Sequence, residues 1–150
     1  MTTYRHTQHS HLCWLLYGVA GAMVVAAAVL RDVGPAPYVL AFAAAMVGIL
    51  AAGFHHLTVE DAGDRLSIAF GPLPLFRRSV RYEDVTGAEV GRTTIFEGWG
   101  IHLSPRGGWV WNLGGRDCVI VALGGGRLTI GTDDAANLAE FLRARSRVEV

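Results

Sequence analysis

Two uncharged apolar runs open the chain, and a period-two alternation of apolar and polar positions replaces them from Leu57 onward. The first run, Leu12 to Leu30, reads LCWLLYGVAGAMVVAAAVL. At 1.5 Å rise per helical residue it is about as long as a bilayer core is thick. Arg31, Asp32, Gly34 and Pro35 interrupt it, and a second run follows from Tyr38 to Phe54. The connector is short, so the pattern predicts two antiparallel helices forming a transmembrane hairpin over residues 12–56. Trp14, Tyr17, Tyr38 and Phe54 lie near the ends of the runs, where aromatic rings favour the membrane interface. Small residues recur every fourth position, at Gly18, Ala22 and Ala26 and again at Ala44, Gly48 and Ala52. Such ladders let helix backbones approach in lipid. Two other readings compete: core helices of a soluble protein, and a cleaved leader. The leader reading is opposed by an n-region with Arg5 as its one charge and by the second apolar run that follows at once.

Beyond His56 the alternation predicts strands. Leu57 to Glu60 and Leu66 to Phe70 flank a turn at Asp61-Ala62-Gly63-Asp64, and Gly71-Pro72-Leu73-Pro74 ends the second strand. Phe76 to Tyr82, Val85 to Val90, Ile101 to Leu103, Trp109 to Leu113, Val119 to Leu123 and Leu128 to Ile130 continue the series. Gly124-Gly125-Gly126 marks a tight hairpin turn. The period then changes to that of a helix. Leu138, Phe141 and Leu142 form an apolar stripe, Thr132 and Asp133 offer N-caps, and Asp133, Asp134 and Arg143, Arg145, Arg147 suit the two ends of the helix dipole. The expectation is about seven antiparallel strands in a meander, closed by a C-terminal helix, over residues 57–150. Residues 1–11 are expected to be a cytoplasmic segment without ordered structure.

Composition sharpens this picture. Of 150 residues 51% are hydrophobic and 17% charged, below the charged fraction of ordinary soluble domains. The formal net charge is zero, so no long-range field favours nucleic acid. All the Lys/Arg positions are arginine. Arg5 before the hairpin and Arg65, Arg77, Arg78 and Arg81 after it outweigh Arg31 in the connector, so that both termini are expected in the cytoplasm, with the protein multi-pass in the cell membrane. No disulfide is expected between Cys13 and Cys118.

Strand order, the closing helix and the segments Gly98-Trp99-Gly100-Ile101 and Ile130-Gly131-Thr132-Asp133-Asp134 resemble the bacterial pleckstrin-homology-like family over about residues 57–145. The resemblance implies two near-orthogonal antiparallel sheets capped by a helix, carried behind a membrane hairpin. It implies binding and no chemistry, because such a fold is a scaffold. Phosphoinositide-binding relatives use a basic first hairpin loop; here Glu60-Asp61-Ala62-Gly63-Asp64 is acidic, which opposes phosphate capture.

Three groups of residues are candidates for a site. Phe76, Arg77, Arg78 and Arg81, after the apolar Leu73-Pro74-Leu75, suit contact with an anionic lipid interface. Trp99, Trp109 and Trp111 suit a partner surface or the core, with Trp109 and Trp111 on one sheet face. His9, His11, His55 and His56 flank the hairpin and are the residues a metal or haem would use, although no Cys or carboxylate joins them at a recognised spacing. No nucleophile–base pair or phosphate-cradling motif is present in the sequence. The expected function is a binding or scaffolding module at the inner membrane face. Its partner would be the bilayer with a membrane protein or another copy of the chain, without cofactor, metal, nucleic acid or enzymatic activity. Lipid sensing through the Arg loop is the alternative.

Overall fold

The structure is a computed structural model that describes residues 3–73, 75–94 and 98–148. Pro74 of the expected strand break and the side chain of Arg147 fall outside that description. Helices α1 (Leu12–Val29) and α2 (Ala36–Gly53) form the antiparallel pair. Both are long and apolar enough to cross a membrane. They are apolar around their whole circumference, so packing on each other leaves Trp14, Leu15, Val25, Val39 and Phe42 exposed. Pro37 sits in the first turn of α2, where its missing N–H has no helical partner to lose. The seam keeps the expected ladder of α2, with Ala44 buried and Gly48 and Ala52 half-buried, and departs from that of α1, where Gly18 and Ala22 are exposed. Cys13 and Ala27 are the buried positions of α1, while Ala44 and Ala51 are buried within α2. A Cβ at Gly18 or Gly48 would meet nothing within 4 Å. Contacts every three or four residues, rather than every fourth, follow the 3.6-residue turn of two helices lying side by side.

The expected disordered segment is a strand. β1 (Arg5–His9) pairs antiparallel with β2 (His56–Asp61), from Arg5 opposite Glu60 to His9 opposite His56. Sheet A continues through β3 (Arg65–Gly71) and β4 (Arg77–Arg81) in the order β1-β2-β3-β4. The sequence of β1, Arg-His-Thr-Gln-His, has no apolar alternation, because it is an edge strand whose hydrogen bonds come from its partner. Sheet B comprises β5 (Val85–Arg92), β6 (Gly100–Leu103), β7 (Trp109–Asn112), β8 (Asp117–Leu123) and β9 (Gly126–Gly131). Its order is β5-β8-β9-β7-β6, with β7 and β9 parallel. The described residues thus hold nine strands in two sheets, one of them mixed, in place of about seven in a meander. The β6–β7 hairpin is inserted between β5 and β8 in sequence and lands beyond β9 in space.

Inward residues at every second position fill the core. Leu57, Val59, Leu66, Ile68 and Phe70 face it from sheet A. Trp111, Val119, Val121, Leu128 and Ile130 face it from sheet B. The final helix α3 (Ala135–Val148) lays Leu138, Ala139 and Leu142 on this core, as its apolar stripe predicts. Thr132 Oγ1 accepts the Asp134 N–H at the start of the helix. The carboxylates of Asp133 and Asp134 also reach the N-terminal segment: His6 of β1 contacts Asp133, and the hydroxyl of Tyr4, just before β1, donates to Asp134 at 3.0 Å, while the other Asp134 oxygen accepts the Asn137 amide. Burial first, then the Asp134 carboxylate, raises the Tyr4 phenol above its ordinary pKa.

Candidate functional site at the root of the helical hairpin

The two helices replace the turn of a β-hairpin. Ser10 and His11 alone separate β1 from α1, and Phe54 and His55 alone separate α2 from β2. The Ser10 N–H donates to the His55 carbonyl at 3.0 Å, which extends the β1–β2 ladder to the helix ends. Ser10 also accepts the Leu12 N–H on its hydroxyl at 3.1 Å, and its carbonyl accepts the Cys13 thiol at 2.9 Å.

This closure gathers three of the four candidate histidines. The metal-capable atoms of His9, His55 and His56 all lie within 4.8 Å of one another. Their ring centroids are 5.7 to 5.8 Å apart. His11, the N-cap residue of α1, is not in this group. His55 and His56 are half-buried and His9 is exposed. Trp14 stands edge-on to His55 at 6.4 Å. Gly71, opposite His56 in the β2–β3 register, makes room for the His56 ring: a Cβ there would lie 2.5 Å from its Nε2. Desolvation, followed by the neighbouring His55 and His9, lowers the His56 pKa and favours its neutral ring.

The candidate lipid-contacting residues divide. Phe76 packs on Phe54 at 5.3 Å, beside the end of α2. Leu73 and Leu75 are exposed in the same β3–β4 loop, and a Cβ on Gly53 would touch Leu75 Cδ1 at 3.4 Å. Arg77 and Arg78 start β4 immediately beyond this loop. Arg81 stands at the other end of β4, opposite Arg65, where it pairs with Glu83 at 2.8 Å.

The tryptophans divide as well. Trp111 is buried against Phe70, with ring centroids 5.7 Å apart. Trp99 and Trp109 are 62% and 41% exposed, so these two remain for contact with anything outside the chain. Trp99 lines an apolar hollow of about 190 Å³ with Leu12, Cys13, Leu16, Phe54 and Leu113, at the foot of α1. Trp109 shares a cleft of about 300 Å³ with Leu75, Phe76, Arg77 and Arg78, so the lipid and partner candidates meet across the two sheets.

The acidic first loop is less negative than its sequence. Arg65 holds Asp64 at 2.7 Å, and Arg145 of α3 holds Asp61 at 2.6 Å. Arg145, Tyr82 and Tyr4 were not singled out from the sequence as polar anchors; their partners are distant along the chain, and no local spacing marks them. No protein-family model matches the chain, and no curated protein matches it.

Proposed function

We propose that the chain is a membrane-anchored binding module. In this reading α1 and α2 cross the cell membrane, and a pleckstrin-homology-like β domain faces the cytoplasm, where it holds a membrane-protein partner or another copy of itself. The β1–β2 ladder running straight into both helices is the observation that carries the reading. It leaves no flexible tether, so the β domain keeps a fixed stance toward the helices. With the helices spanning, it also puts the N-terminus and the β domain on one side of the bilayer. The arginine bias makes that side cytoplasmic. Two sheets with a closing helix support the scaffold that the family resemblance implies, while the parallel β7–β9 pair departs from its all-antiparallel form.

A partner surface is supported by exposed Trp99 and Trp109 and by β6, an edge strand of sheet B that carries exposed Leu103. Such an edge accepts a further strand by main-chain hydrogen bonding. The lipid reading also has its own support: exposed Leu75 lies beside the foot of α2, with exposed Leu73 in the same loop and Arg77 and Arg78 following it.

The test uses the full chain, since a fragment beginning at residue 57 would lack β1. A photo-crosslinking amino acid at Trp99 or Trp109 is expected to give a discrete higher-mass adduct in native membranes. The same group at Glu140, on the exposed side of α3, is expected to give none. Chains that stay at monomer mass from both tryptophan positions would overturn the partner reading.

A further inference from the structure

We propose that His9, His55 and His56 form a three-imidazole site for a divalent transition-metal ion, with zinc as its simplest occupant and one coordination position left open to solvent. Three observations converge on it.

The first is placement by backbone rather than by mobile side chains. His9 and His56 are register partners in the β1–β2 ladder, and the His55 carbonyl is held by the Ser10 N–H at 3.0 Å. Three ligands therefore issue from a fixed frame, which lowers the ordering cost of binding. The second is distance. The ligand atoms already fall within 4.8 Å of one another. A tetrahedral zinc with Zn–N near 2.0–2.1 Å needs nitrogens about 3.4 Å apart. Rotation of the imidazole side chains must close the remaining difference. The third is an orphan group. His55 Nδ1 is shielded from solvent and has no hydrogen-bond partner among the described residues. A buried polar nitrogen in that condition points to a bound group that satisfies it.

The donor set selects the class of ion. Three neutral imidazoles and no carboxylate suit zinc, copper or nickel and disfavour magnesium or calcium, which require oxygen. His9 is exposed, so the fourth position faces water and admits a solvent molecule or an external ligand. The site lies where the N-terminal strand meets the exit of the second helix. A bound ion therefore staples two segments that the whole helical hairpin separates in sequence.

The experiment uses tag-free full-length protein in lipid nanodiscs, dialysed against zinc and assayed by elemental mass spectrometry and chelator competition. One zinc per chain is expected. His9→Ala, His55→Ala and His56→Ala are each expected to weaken binding at least tenfold, and His11→Ala to leave it unchanged. A readout on the unmutated chain guards against misfolded variants: one equivalent of Cu²⁺ should show imidazole-nitrogen superhyperfine splitting in its electron paramagnetic resonance spectrum. Zinc at background stoichiometry, a His11→Ala loss equal to the others, or a copper spectrum without nitrogen splitting would each overturn the assignment.

Discussion

Arg145 Nη2 lies 2.6 Å from Asp61 Oδ2, joining the last turns of α3 to the end of β2. The Tyr82 hydroxyl and the Gly63 N–H donate to the other oxygen at 2.8 and 2.9 Å. The guanidinium lies 5.4 Å from the Tyr82 ring centroid and 5.5 Å from that of Phe141. The Asp61 side chain is only 3% exposed, so each donor compensates a carboxylate that has lost its water. Sheet A thereby holds the helix that covers sheet B.

This relationship predicts a stability loss with a defined pH signature. Arg145→Ala should cost about 2–3 kcal/mol, because it leaves a shielded carboxylate with two of its three donors. Burial pushes the Asp61 pKa up, but the Gly63 N–H, the Tyr82 hydroxyl and Arg145 together outweigh it and hold the carboxyl below its ordinary value. A depressed folded-state pKa gives stability that is present above the unfolded value, about 4, and is lost as the pH falls below it. Thermal melts of the detergent-solubilised chain should therefore decline below about pH 4, and Asp61→Asn should flatten that limb. An unchanged acid limb in Asp61→Asn would show that other carboxylates govern it.

Gly131 should not tolerate a side chain. A Cβ there would fall 2.0 Å from Asn112 Oδ1 and 2.8 Å from Asn112 Cβ. Asn112 is fully buried, and its Oδ1 accepts the Gly114 N–H at 3.0 Å. Gly131→Ala must displace that anchor of the β7–β8 turn, at a cost of about 2–3 kcal/mol from overpacking and the disturbed hydrogen bond. Gly124→Ala, where a Cβ meets nothing within 4 Å, should cost much less. Equal melting temperatures for the two variants would contradict this packing.

The rim around the helix feet should contact lipid. An environment-sensitive fluorophore on Leu75→Cys or Trp99→Cys is expected to shift to the blue in nanodiscs, and one on Glu140→Cys to report water. The native Cys13 and Cys118 are buried and should stay largely unlabelled. Replacing Arg77 and Arg78 with Ala should weaken the dependence on anionic lipid by roughly 1 kcal/mol per charge. A water-like spectrum at both Leu75 and Trp99 would remove the lipid reading and leave the partner reading standing.

Periodicity made the helices and most strands legible. Uninterrupted apolar runs mark α1 and α2, and period-two alternation marks β2, β3, β8 and β9. The stripe of Leu138, Phe141 and Leu142 marks α3. β1 was hidden because its order comes from the ladder with β2, and Arg-His-Thr-Gln-His has no apolar face to announce it. The β7–β9 parallel pair was hidden because alternation fixes which residues face the core, not which strand lies beside which.

The candidate residues follow the same division. Residue type alone marked the histidines, the tryptophans and the Arg77–Arg78 pair as capable of binding. Only the fold separated His11 from the cluster of His9, His55 and His56, Trp111 from exposed Trp99 and Trp109, and Arg81 from Arg77. It also turned Asp61 from an open acidic loop residue into the partner of Arg145. Hydropathy is a local property and can be read along one chain. Proximity between residues on opposite sides of a helical hairpin, or between a first strand and a last helix, exists only once burial and strand pairing bring those segments together.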